Sequence, residues 1–115
     1  MVLSQPGALS ITLLVEGAVA ALVARRLGAA RLRAAAAAVG GSLVTHPFVW
    51  LGVLALYETL GGFTVPIFEA AAVAAEAIGY RLIAARSWRS ALLLSVIANA
   101  ASWSVGFVLQ RFVWP

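Results

Sequence analysis

Cysteine and lysine are both absent from this chain. Without cysteine there are no disulfides, no thiolate metal sites and no cysteine nucleophile. Charge of either sign is scarce: Asp, Glu, Lys and Arg make up 10% of the 115 residues, against about 25% in ordinary soluble domains. Catalytic signatures are missing too. There is no HExxH pair and no GxSxG elbow, and Gly40-Gly41 and Gly61-Gly62 are bare pairs rather than a phosphate-binding loop.

What is present is apolar. Hydrophobic residues form 63% of the chain and the mean hydropathy is +1.02, the composition of a single membrane domain spanning residues 1–115. The formal charge of +4 comes entirely from arginine. Seven of the eight arginines fall into two clusters, Arg25, Arg26, Arg31 and Arg33, then Arg81, Arg86 and Arg89, with Arg111 apart. Basic residues bunched between apolar stretches are a topology signal and not a nucleic-acid groove. Met1 to Gly7 carries no Lys or Arg, so the first apolar stretch reads as a retained helix and not as a signal peptide.

A bilayer-crossing helix takes roughly 17–25 mostly apolar residues. Residues 8–24, 34–57, 64–80 and 90–110 each qualify, which predicts an all-α fold of four transmembrane helices in a bundle. The connections at 25–33 and 81–89 are basic, and 58–63 has no basic residue. The positive-inside rule then puts both termini outward, N-out and C-out. Trp88, Trp114 and Tyr57 lie near span ends, where amphipathic rings favour the headgroups. Thr64 is positioned as an N-cap, with Pro66 in the first turn. Pro47 removes a backbone donor inside the second span and predicts a kink.

The polar residues inside these spans carry the functional argument. Measured inward at 1.5 Å per residue, Glu16 lies about 12 Å deep, Glu76 about 18 Å, His46 and Asn99 roughly 16–17 Å, and Glu69 about 8 Å. Glu69 and Glu76 are seven residues apart and share a helix face. Ser95, Asn99, Ser102 and Gly106 form a second stripe, and Ser42, Thr45, Val49 and Gly52 a third, with His46 on its flank. Such stripes of small and polar residues suit close helix packing. An ionised carboxyl at a helix centre costs about 2.5–3.5 kcal/mol on insertion scales. Glu16 and Glu76 should therefore point inward, protonate or pair, with Glu76 as the exchanging acid, His46 as its partner, Glu16 as a second acid and Asn99 as orienter. Glu69 would guide ions inward, and Thr45, Ser95 and Ser102 would hold helices together.

Thr45-His46-Pro47, the Glu69/Glu76 spacing, and Asn99, Ser102 and Gly106 together resemble small four-helix bacterial membrane proteins of unassigned function. The resemblance covers the last three spans and implies a recurring unit of the bacterial plasma membrane, with no activity attached. Three functions fit these residues. The first is proton- or cation-linked transport through a buried Glu/His/Asn site. The second is an accessory subunit whose polar residues serve as interhelical glue. The third is a metal-dependent intramembrane enzyme. The residues name no cofactor. The partners expected are the lipid bilayer and either further copies of the chain or a larger membrane complex, not nucleic acid.

Overall fold

A computed structural model describes residues 5–113, which are helical almost throughout; Trp114 lies outside them. Helix α1 spans Gln5–Ala24 and ends in a 3-10 turn, Arg25–Leu27. Helix α2 spans Arg31–Ile83. Its first arm, Arg31–Leu60, passes through a 3-10 turn at Gly61–Phe63 into its second arm, Thr64–Ile83. Helix α3 spans Trp88–Val108 and finishes in a π turn, Leu109–Val113.

This corrects the sequence reading of four transmembrane helices. Three helical segments are long and apolar enough to cross a membrane by length and composition, Pro6–Leu27, Arg31–Ile83 and Trp88–Phe112. Residues 58–63, read from sequence as a loop, remain helical, so two expected spans become one run. The N-out/C-out orientation rested on four crossings and falls with that count. Arg31, Arg33, Arg81 and Arg89 also lie within helices, since arginine is a good helix former whose long stem carries its charge outward.

A straight helix of 53 residues would extend roughly 80 Å, but the longest dimension of the molecule is 40 Å. α2 therefore doubles back, and Gly61, at φ 58°, supplies a backbone conformation that side-chain-bearing residues rarely adopt. Because the chain is already helical before Thr64, no free amide is left there to cap. The Thr64 hydroxyl instead donates to the Gly61 carbonyl at 2.7 Å. The first arm runs through Pro47 as continuous helix.

α1, both arms of α2, and α3 enclose one interior, with α1 and α3 each packed against the neighbouring arm and against each other. At the arginine end that interior is filled mainly by alanine: Ala20, Ala24, Ala34, Ala37, Ala38 and Ala91, with Tyr80 and Leu94 as the large members. Small side chains let helix backbones approach closely. Ala29 and Ala85 form an antiparallel bridge that ties the two connections of this end together, and the Arg31 Nε donates to the Ala21 carbonyl at 3.3 Å. Large apolar residues face outward, among them Leu14, Leu22, Phe48, Leu51 and Leu82. The usual inside-out order of a water-soluble core is reversed.

At Gly41 the two arms of α2 approach each other closely. A Cβ built there would lie 3.7 Å from the Cβ of Glu76, within the roughly 3.5–4.5 Å that a disulfide spans. In this cysteine-free chain, Gly41→Cys combined with Glu76→Cys should form an intramolecular disulfide under mild oxidation, read by mass spectrometry. Failure to cross-link in a folded double variant would contradict the fold-back of α2.

Candidate functional site

Toward the Gly61 turn the helices no longer fill their interior, and a cavity of about 480 Å³ opens between them. It runs from Ala8, Leu54, Val65 and Gln110 near the turn end to a floor at Glu16, Ser42 and Glu76. The alanine and Tyr80 layer closes it at the arginine end.

Three elements build the floor. Glu16 comes from α1 and is 1% exposed; Glu76 comes from the second arm of α2 and is 3% exposed. Ser42, from the first arm, stands between them: its Oγ donates to Glu16 Oε2 and lies 3.5 Å from Glu76 Oε1. Both carboxyls thus converge on one hydroxyl. Thr45 Oγ1 donates to Glu76 Oε2 at 2.9 Å. Asn99 Nδ2, from α3, donates to Glu76 Oε1 at 3.3 Å and to the Ser95 carbonyl at 2.8 Å.

Local sequence explains this convergence. Ser42 and Thr45 are three apart on the face of the first arm that meets the second. Gly41 has no side chain, and a Cβ there would stand 3.1 Å from Glu76 Cγ, so a larger residue would push the carboxyl away. On α1, Thr12 lies one turn before Glu16 and accepts from Ser102 Oγ of α3 at 3.3 Å, which ties Glu16's helix to α3. Ser95 Oγ donates to the Val73 carbonyl at 2.7 Å and joins α3 to the second arm.

Glu76, Glu16, Asn99 and Thr45 thus meet at the floor. His46 does not join them. The hydrogen-bond partners of Glu76 are Ser42, Thr45 and Asn99, while the His46 ring stacks on Trp50 with centroids 6.3 Å apart. Its Nε2 is buried without a hydrogen bond among the described residues. One residue of helix turns a side chain by about 100°, so with Thr45 aimed at Glu76 the imidazole points along the wall. Glu69 also lines the cavity, nearer its mouth. Ser42, read from sequence only as part of a packing stripe, proves to be the bridge between the acids. No signal within its own helix marks that role, because Glu16 lies 26 residues away.

Tyr80 sits one turn beyond Glu76 and is 0% exposed. Its hydroxyl has no hydrogen-bond partner among the described residues.

Chemically the floor is an acid pair with only neutral donors around it. Ser42 has one hydroxyl hydrogen, so it can donate to only one carboxyl at a time. Two anionic carboxyls this close repel strongly in an apolar surround, and a proton or cation held there would balance the charge. Among the described residues no three His, Asp or Glu side chains group as a metal site would require. Comparison with known protein families, with curated proteins and with solved structures finds no match to this chain.

Two substitutions separate satisfied from unsatisfied polar groups. Thr45→Val removes a donor from a buried carboxyl and should cost about 1–3 kcal/mol of stability. Tyr80→Phe removes a hydroxyl that has no partner and should be neutral or stabilising. Thermal unfolding in detergent reads both; equal losses would contradict this hydrogen-bond assignment.

Proposed function

We propose that this chain is an integral membrane protein, of the bacterial plasma membrane, whose Glu16–Ser42–Glu76 centre takes up and releases a proton or monovalent cation in support of transport. The membrane part is supported by the three long apolar helices, the alanine and serine interior, and the outward leucine, phenylalanine and tryptophan side chains. Apolar surface on that scale is unusual for a soluble monomer. The transport part is carried by one observation: two carboxyls brought together on one serine hydroxyl at the floor of a cavity.

Buried acids of this kind are costly in hydrocarbon and mark ion or proton pathways. Glu76 is the exchanging acid, oriented by Thr45 and Asn99. Glu16 is the second acid and Ser42 the link between them. Glu69, nearer the mouth, draws cations toward the floor, and His46 contributes a polar wall. Passage to the arginine end requires the Tyr80 and alanine layer to separate, through rearrangement of the helices or assembly with other copies.

A second reading, an accessory subunit with polar residues as glue, is favoured by the Ser102–Thr12 and Ser95–Val73 bonds, which join elements without touching the acid pair. Interhelical bonds of this type contribute about 0.6–2 kcal/mol each.

Liposome flux separates the two. Reconstituted wild type should move protons or sodium down a gradient, and Glu76→Gln should bring the rate to that of empty liposomes. Glu58→Gln, which is off the cavity wall, should leave the rate unchanged. Equal flux in wild type and folded Glu76→Gln would remove transport and favour the subunit.

A further inference from the structure

The cavity is much larger than a proton or a bare metal ion needs. Its volume of about 480 Å³ falls within the roughly 300–1,000 Å³ of small-molecule sites. Its charge is one-sided. Of the four acidic residues in the chain, Glu16, Glu69 and Glu76 line it, and none of the eight arginines does. Its walls are apolar and aromatic: Trp50, Trp103 and Phe107 face it together with Ile11, Val49 and Val53.

We propose that this cavity binds an organic monocation with an aromatic or branched apolar body, its charge directed at Glu69 and at the Glu16–Glu76 floor. The inference rests on the exchange site proposed above and names what occupies it. Each wall property selects against an alternative. Anions find three carboxyls and no arginine. A hydrated metal ion finds few oxygen donors above the floor, because the walls there are hydrocarbon and indole. A neutral apolar molecule leaves the carboxyls without a counter-charge, and that burial is what makes them expensive. An organic cation satisfies both halves: aromatic faces attract it through their quadrupoles, and the acids balance its charge. Glu69, seven residues and about 10 Å along the helix from Glu76, gives a cation a first station before the floor.

Binding and proton exchange are then competitive, since a cation and a proton balance the same carboxyl charge. Affinity should fall as the medium is acidified.

The test uses the full chain in nanodiscs and titration calorimetry with four probes: benzyltrimethylammonium, benzyl alcohol, benzenesulfonate and sodium. Benzyltrimethylammonium should bind saturably and more weakly in acid. Benzyl alcohol and benzenesulfonate, which carry the same ring without the positive charge, should not displace it, and sodium, which lacks the ring, should displace it only in large excess. Glu76→Gln should weaken binding about tenfold or more. Two further variants guard against misfolding at the packed floor. Trp103→Ala, at a largely exposed side chain, should weaken binding about three- to tenfold. Glu69→Gln, at a carboxyl that no hydrogen bond holds among the described residues, should weaken it by a similar factor.

Equal binding of benzyl alcohol, displacement by sodium at equal concentration, or unchanged affinity in both Trp103→Ala and Glu69→Gln would overturn the inference. Glu76-dependent proton or sodium flux with no ammonium binding would remove the organic cation and leave the exchange site. Ammonium binding with no Glu76-dependent flux would keep the binding site and remove transport.

Discussion

Two glutamates on different helices, 60 residues apart in the chain, meet through one serine hydroxyl in the interior of an otherwise apolar structure. That contact sets terms for everything around it. Two carboxyls cannot share such a place unless donors surround them and the charge is balanced. Thr45 and Asn99 supply the donors. Gly41 supplies the closeness, because any side chain there would displace Glu76. The doubling of α2 at Gly61 brings Ser42 and Thr45 against Glu76 in the first place.

Packing follows a gradient along the interior. At the arginine end, alanines let the helices close fully around Tyr80. Toward the Gly61 turn, larger residues line separated walls and leave the cavity. The acid pair sits at the boundary, where the closed half meets the open half. Each of its members has a small or aromatic residue one turn deeper: Ala20 below Glu16, Ala38 below Ser42, Tyr80 below Glu76. The site is therefore reachable from one side and closed on the other.

Much of this was legible in the sequence, and the reasons are physical. Glu16, Glu76 and Asn99 could be placed at similar depth because helix rise is constant and apolar runs define where a span begins. Their inward direction followed from the cost of exposing a carboxyl to hydrocarbon. The number of helices was not legible. Gly61 and Gly62 read as a loop, yet they continue the helical path as a turn, and only tertiary packing decides that. The partner of Glu76 was not legible either. His46 and Thr45 are adjacent in sequence, and which of them faces the acid depends on the rotation of one arm about its axis. Ser42 carried no distinguishing mark, since its importance comes from Glu16 on another helix. The aromatic walls were likewise visible only as residue types until the fold put them around one space.

Whether the two acids truly interact can be measured by a double-mutant cycle on unfolding free energy, with Glu16→Gln, Glu76→Gln and the pair. Direct contact through Ser42 predicts a coupling energy of about 0.5–3 kcal/mol. Effects that add to within about 0.3–0.5 kcal/mol would mean that the glutamates do not meet, and would contradict the account at its root.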